Sequence, residues 1–264
     1  MLKANGSLLT ESILPNINQR FTSSNCPVFQ GTKLRVVTLD ALNTLIRLKQ
    51  SPGHTYANFA KRINVQCNAD ELDDAFRLNF KNLSKRKLCY GFKKDGEIAW
   101  WIELVKNCFA DVGEKSVGID KVAHELFVYY GSVEPWKLVD NQVHDHLKEL
   151  QSRKIRLGII SNFDRRLRNI LEGLKLSSYF EMMLLSGEIG VEKPNKQIFE
   201  KAAKYFQINQ MEEMLHVGDD EEKDFNGAKK AGVRAVLLRP EKVSACDNKQ
   251  NILCSLKDII DRLE

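Results

Sequence analysis

Four residues with reactive side chains end short apolar runs or lie just beyond one. Asp40 closes the run 34–40, Ser161 closes 155–161 and Asp219 closes 214–219. Lys193 follows the apolar pair Met182-Met183 and directly precedes Pro194. Short β-branched apolar runs are the pattern of buried parallel strands, and open parallel sheets bind ligands outside the carboxyl ends of their strands. Two carboxylates, a hydroxyl and an ammonium would therefore meet at one sheet edge. Carboxylates can attack an electrophile or hold an oxygen-seeking cation, and an ammonium can hold an anion. Singly, each residue has a plainer reading: a turn residue for Asp40, a cap for Ser161, a solvated charge for Lys193, a strand-to-loop turn for Gly218-Asp219. Jointly, in this order and at these strand ends, coincidence is a poor account.

The elements that must position them alternate. Helices are expected over 141–151, 164–174, 195–206, 222–231 and 253–263, with strands over 34–40, 155–161, 181–185, 214–219 and 233–238. That alternation predicts an α/β fold, a doubly wound, Rossmann-like parallel sheet with helices on both faces. Residues 51–134 break it: four stretches with helical spacing and no strand alternation predict an inserted all-helical cap, with Asp70 and Asp120 as candidate helix caps. The expected organisation is a flexible extension over 1–33, a core domain built from 34–50 and 135–264, and a helical cap domain over 51–134. Residues 1–33 carry one acidic residue, Glu11, and only Lys3, Arg20 and Lys33 as basic ones. A disordered extension of a cytoplasmic protein fits better than a mitochondrial transit peptide, because charge is sparse and Pro15 interrupts the one apolar stretch.

Four segments, TLDALNTLI (38–46), IISNFD (159–164), EKPNKQIF (192–199) and HVGDDEEKDFNGA (216–228), resemble in order the four motifs of the haloacid dehalogenase (HAD)-like hydrolase superfamily. The resemblance covers about 34–240, with an insert where that family carries its helical cap. Asn-Thr-Leu after Asp40, Ile-Ser-Asn-Phe-Asp-Arg-Arg, and the Trp100-Trp101 pair are similar to the subgroup of haloacid dehalogenase-like hydrolase domain-containing protein 3 and rhythmically expressed gene 2 proteins. The resemblance implies a phosphatase in which Asp40 attacks phosphorus to form an aspartyl-phosphate. It implies Mg²⁺ held by Asp40, Asp219 and the Leu42 backbone carbonyl, with waters completing the shell. Ser161 and amides near Asn162 would bind phosphoryl oxygens, and Lys193 would neutralise the developing charge. Asp224 would orient Lys193 or a metal-bound water, and Thr44 would support the loop through a turn-closing hydroxyl.

One position departs from the pattern. Phosphatases of the superfamily carry a second Asp two residues after the nucleophile; here it is Leu42, which has no proton to give. General acid–base catalysis typically contributes about 10²- to 10⁴-fold, so hydrolysis should be slow. Asn43 stands where Gly is usual and tolerates a left-handed backbone. Dehalogenases of the superfamily also lack the second Asp, but they work without metal and have no need of a pair like Asp219 and Asp224. Three readings follow: a Mg²⁺-dependent hydrolase of a small phosphorylated metabolite, an impaired phosphate-binding or protein-interaction relative, and a 2-haloacid dehalogenase. In the insert, Tyr90, Phe92, Trp100 and Trp101 could form an apolar lid wall, although adjacent tryptophans on a helix face apart and one should pack inside the cap. His54 reads as a helix-start residue rather than a hinge ligand.

Composition narrows the classes. A net charge of +5 on 264 residues is mild. The runs Lys85-Arg86-Lys87, Arg165-Arg166 and Lys229-Lys230 read as solvated helix faces, with no nucleic-acid motif beside them. Six separated cysteines without a C-x-x-C pair read as reduced thiols,. The histidines have no metal-ligand spacing, and no apolar run reaches the roughly 20 residues of a membrane span.

Overall fold

The computed structural model describes residues 31–240 and 251–263. Most of the extension expected over 1–33 lies outside them. In chain order the elements are β1 (Val36–Leu39), β2 (Ile46–Leu48), α1 (Pro52–Lys61), α2 (Ala69–Arg86), α3 (Gly96–Asp111), α4 (Ile119–Gly131) and β3 (Trp136–Leu138). There follow α5 (Val143–Ser152), β4 (Arg156–Ser161), α6 (Leu167–Gly173), β5 (Met182–Leu185), α7 (Ser186–Ile189) and α8 (Lys196–Phe206). The last are β6 (Met214–Gly218), α9 (Gly227–Lys230) after a π-turn over Glu221–Asn226, β7 (Arg234–Leu238), β8 (Ile252–Leu253) and α10 (Lys257–Asp261).

Six strands form one parallel sheet in the order β5-β4-β1-β6-β7-β8. β1 is central, with Leu39 opposite Ile159 of β4 and Val217 of β6. All four of its residues are buried, because period-two alternation sends neighbours to opposite faces that are both covered. Val36 joins Ile160, Phe199, Ala202 and Phe206 under α8. Val37 and Leu39 join Leu147, Leu150, Ile170 and Ile259 under α5, α6 and α10. Truncating one such side chain, Leu39→Ala for instance, costs about 2–5 kcal/mol at sites of this kind. The doubly wound sheet read from the alternation is the fold of the protein.

Helices α1 to α4 enclose a separate apolar cluster around Tyr56, Leu72, Trp100, Leu104, Phe109 and Leu126. The chain enters and leaves them through a two-strand antiparallel ribbon in which Leu48 of β2 pairs with Trp136 of β3. Ser51 caps α1, its hydroxyl accepting from the His54 amide, and His54 sits exposed in the first turn.

Several expectations need correction. Asn68, not Asp70, caps α2, because its Oδ1 accepts from the amides of Asp70 and Glu71. Asp120 lies inside the first turn of α4 and pairs instead with Lys106 at 2.7 Å. The helix expected over 164–174 starts only at Leu167, since the Asp164 carboxylate takes the Arg166 amide. Arg166 is buried, not solvated, through that partnership. The segment expected as a helix over 253–263 begins as strand β8. Cys67, Cys89 and Cys108 are free thiols, whereas Cys254 is disulfide-bonded, which six cysteines permit. No helix among the described residues is long and apolar enough to cross a membrane.

Candidate active site

The carboxyl end of β1 delivers Asp40, and its neighbours β4 and β6 end at Ser161 and at Gly218 before Asp219. The loop after α7 returns Lys193 to the same edge. Lys193 is almost wholly buried, and its Nζ donates to Asp40 Oδ1 at 2.8 Å, Asp224 Oδ1 at 2.6 Å and the Ile160 carbonyl at 2.7 Å. Asp40, Asp219 and Asp224 each place a carboxylate oxygen within 4.8 Å of the others. Asn43 adopts the left-handed backbone (φ 57°) that its residue type tolerates,. From there its side-chain amide donates to Asp219 Oδ2 at 3.1 Å, and Arg239 holds the Asp219 carbonyl.

Asp224 is brought back to this edge by the π-turn. A Cβ on Gly218 would collide with the Asp224 carboxylate, so the glycine lets that carboxylate lie against the end of β6. Its oxygens are engaged: Oδ1 by Lys193 and by His216 Nε2 at 3.1 Å, Oδ2 by the Asp220 amide at 2.9 Å. His216 Nδ1 lies 3.0 Å from the Thr38 hydroxyl. A neutral imidazole with its proton on Nε2 fits both contacts, because an ionised carboxylate can only accept. Burial lowers the His216 basicity in agreement.

The electrostatics follow from this packing. Burial alone would depress Lys193, but the charges of Asp40 and Asp224 outweigh it and raise the ammonium above its usual value,. Burial would raise Asp224; Lys193 and His216 overcome it and hold the carboxyl well below the usual range. The Asp219 carboxylate makes no such ion pair among the described residues. Burial, then the charge of Asp40, pushes it up to about 6.

Ser161 is buried, and Asn162 and Lys193 tie their chains together reciprocally, Nδ2 to the Lys193 carbonyl at 2.9 Å and the Lys193 amide to Oδ1 at 2.8 Å. Thr44 departs from expectation. Its hydroxyl is buried and has no hydrogen-bond partner among the described residues. The loop is closed instead by the amides of Thr44, Leu45 and Ile46, all donating to the Ala41 carbonyl.

A cavity of about 630 Å³ lies between this edge and the helices above it, lined by Asp40, Leu42, Ser161, Asn162, Lys193 and Asp219 below and by Tyr90, Trp100 and Trp101 above. Leu42 is 37% exposed in it. Trp100 packs into the cap core, as one of the pair was expected to. Trp101 reaches the sheet domain, its Nε1 donating to Asp164 Oδ2 at 2.7 Å while Arg166 stacks on its ring at 4.8 Å. Tyr90 donates to the Asn162 carbonyl at 2.7 Å. Phe92 is not in the wall; it packs on Gly190 of the core. A larger hollow of about 840 Å³ at the amino ends of β1 and β4 is lined by no acidic residue among the described ones and lies at the wrong end of a parallel sheet for a ligand.

The sequence brought Asp40, Ser161, Lys193 and Asp219 into view, but not His216, Asp164 or Arg166. His216 sits in a run that reads as plain strand. Its signal, a polar residue two before Gly218 in a fully buried strand, is weak alone. A second acidic group, His54 with Asp70 and Asp73, is structural: Asp73 takes the Ser51 hydroxyl and the Gly53 amide and so joins α2 to α1.

Comparison with known proteins falls on the same segments. The family model described as haloacid dehalogenase-like hydrolase matches residues 34–232. The chain is 30% identical over 210 residues to haloacid dehalogenase-like hydrolase domain-containing protein 3 of Bos taurus, covering 78% of this chain and 82% of that one. It is 29% identical over 217 residues to the rhythmically expressed gene 2 protein of Drosophila melanogaster, covering 78% and 84%. The magnesium-bound HAD-hydrolase YfnB of Bacillus subtilis shares the fold with a TM-score of 0.66 at 15% identity, over 88% of this chain and 99% of that one. Solved structures of this fold include both phosphatases and haloacid dehalogenases. A match of that extent, running through the segments that carry all four converging residues, places the chain in the haloacid dehalogenase-like hydrolase family.

Proposed function

We propose that the protein is a Mg²⁺-dependent phosphoric monoester hydrolase acting on a small phosphorylated metabolite through an aspartyl-phosphate at Asp40. The observation that carries the reading is the meeting of three carboxylates with one buried lysine. The donor set suits a hard divalent cation: oxygen ligands only, with no ion pair to the Asp219 carboxylate among the described residues and its pKa raised to about 6 by burial and then by the charge of Asp40,. Asp40, Asp219 and the Leu42 carbonyl would hold Mg²⁺. When bound, the ion supplies positive charge that lets a carboxylate approach an anionic phosphate. Asp224 has its oxygens engaged by protein donors, which favours an orienting role over direct ligation.

Asp40 has Oδ1 engaged by Lys193, leaving Oδ2 to attack phosphorus. Lys193, fixed by three acceptors, would sit beside the charge that develops on the transferring group. Ser161 and the backbone near Asn162 would hold its oxygens, and Thr44 supports the turn that places Asp40 through its amide. Leu42 supplies no proton to the leaving group, and this favours a second reading, an impaired relative that binds phosphate or a protein partner. The carboxylates also bear on a third, 2-haloacid dehalogenation, which has no use for a metal-binding pair. A panel of phosphate esters with and without Mg²⁺, on the native protein and on Asp40→Asn, decides among them. Mg²⁺-dependent phosphate release that disappears in the variant is the expected result. Equal release by the variant would remove Asp40 from the mechanism, and chloride release from 2-chloropropionate, assayed alongside without metal, would favour the dehalogenase.

A further inference from the structure

Leu42 raises a question of chemistry: which phosphate esters can be cleaved at a site with no carboxylic acid two residues beyond its nucleophile? Leu42 lines the cavity beside Asp40. Beside Asp40 most polar protons are already committed; the Ser161 hydroxyl is the one left to face phosphoryl oxygens, while Lys81 and Ser84 line the cavity from the cap side. All three protons of Lys193 go to Asp40, Asp224 and Ile160, and that of Tyr90 goes to the Asn162 carbonyl. The Cys89 thiol, pushed up to about 12 by burial and then by Glu192, points to the Glu192 carboxylate. Above Leu42 the wall carries all three tryptophans of the chain, Trp100, Trp101 and Trp136, with Phe76 and Phe80, beside Lys81, Ser84 and Lys85.

We propose that the site is selective for aryl phosphates, esters whose aromatic group the cavity can hold and whose oxygen departs without being protonated. The inference rests on the phosphatase reading and names its substrate class. In the first step the Asp40 Oδ2–phosphorus bond forms as the phosphorus–aryl oxygen bond breaks. The aryloxide leaves with that electron pair and takes its proton from solvent afterwards. Water then attacks phosphorus, the bond from Asp40 Oδ2 to phosphorus breaks to restore the carboxylate, and both protons of the water leave with the phosphate as dihydrogen phosphate, which gives one up to solvent. A phenol ionises near about 10, as tyrosine does, so its anion leaves unaided. An alcohol, closer to the roughly 15.7 of water, needs the acid that Leu42 cannot be. Loss of a general acid therefore costs an alkyl ester about 10²- to 10⁴-fold and an aryl ester far less.

Phenyl phosphate and 2-phenylethyl phosphate share an aromatic ring and differ in leaving-group basicity, so they separate the two requirements. Because aryl esters are intrinsically more labile, the decisive quantity is the response to Leu42→Asp. With Mg²⁺ present, the variant should raise kcat/KM for 2-phenylethyl phosphate by about 10²- to 10⁴-fold and for phenyl phosphate by less than about tenfold. A rise of equal size on both esters, or equal native rates, overturns the inference and leaves the phosphatase reading standing. Absence of any Asp40-dependent release overturns both. Binding gives a readout independent of turnover: phenylphosphonate should quench the tryptophan fluorescence at lower concentration than methylphosphonate, by about tenfold or more for a buried ring. Equal quenching curves would remove the aromatic half of the argument.

Discussion

Lys193 has no spare hydrogen-bonding capacity: its three N–H groups face two carboxylates and a carbonyl, and the side chain is almost wholly buried. Lys193→Met should therefore cost about 3–5 kcal/mol in urea unfolding, because two acidic groups stay buried without their partner. Asp219 behaves oppositely to Asp224. Its folded carboxyl is raised to about 6, above its unfolded value of about 3.9. The stability it contributes is fully present below about 3.9 and is lost as pH rises through about 6. Without Mg²⁺, the contribution of this residue to Tm should decline between pH 5 and 7 by calorimetry. Mg²⁺ should then stabilise the protein more at pH 7 than at pH 5, where a proton competes for the ligand. Asp219→Asn should flatten both trends. At this scale the sequence was readable where a reactive residue ended an apolar run, as with Asp40 and Asp219. It was unreadable where the partner was remote: His216 looks like strand filler until Thr38, 178 positions away, is seen beside it. The Thr44 hydroxyl misled for a related reason, since backbone amides had already closed its turn.

Elements were legible in proportion to their length. β1, β4 and β6 each bury nearly every residue, and a buried run announces itself. β2 and β3 have three residues each and β8 two, too few for periodicity to register. The π-turn before α9 has the residue pattern of ordinary helix; the Asp220 cap and the Gly218 contact show where it starts, but nothing in the residues explains the wider winding. Helix contacts are also local tests. The first turn of α1 passes so close to α2 that a Cβ on Gly53 would collide with the Ala69 carbonyl and the Asp73 amide. Gly53→Ala should lower stability by about 1–3 kcal/mol or more in thermal unfolding, while Gly113→Ala, with open space around it but a positive φ, should cost only its backbone strain, on the order of 1 kcal/mol.

Across the molecule, the helical insert is held to the sheet by polar contacts centred on the loop after β4, with one more from the Cys89 amide to the Glu192 carboxylate in the loop after α7. Trp101 and Arg166 share the Asp164 carboxylate, Arg166 also donates to the Phe127 carbonyl at 2.9 Å, and Tyr90 reaches Asn162. Trp101→Phe keeps the ring but removes a bond to a charged acceptor, about 1.5–3 kcal/mol. Hydrogen exchange should quicken in α3 and in residues 162–166 while β1 and β6 stay protected; uniform protection throughout would show that these contacts do not hold the cavity shut.

The antiparallel pairing of Leu48 with Trp136 has an evolutionary consequence. Chain departs and returns at adjoining points, so whatever is spliced between them leaves the register of β1 untouched. Selection could lengthen, shorten or exchange that excursion, and with it the choice of what is bound, without ever displacing the carboxylate at position 40.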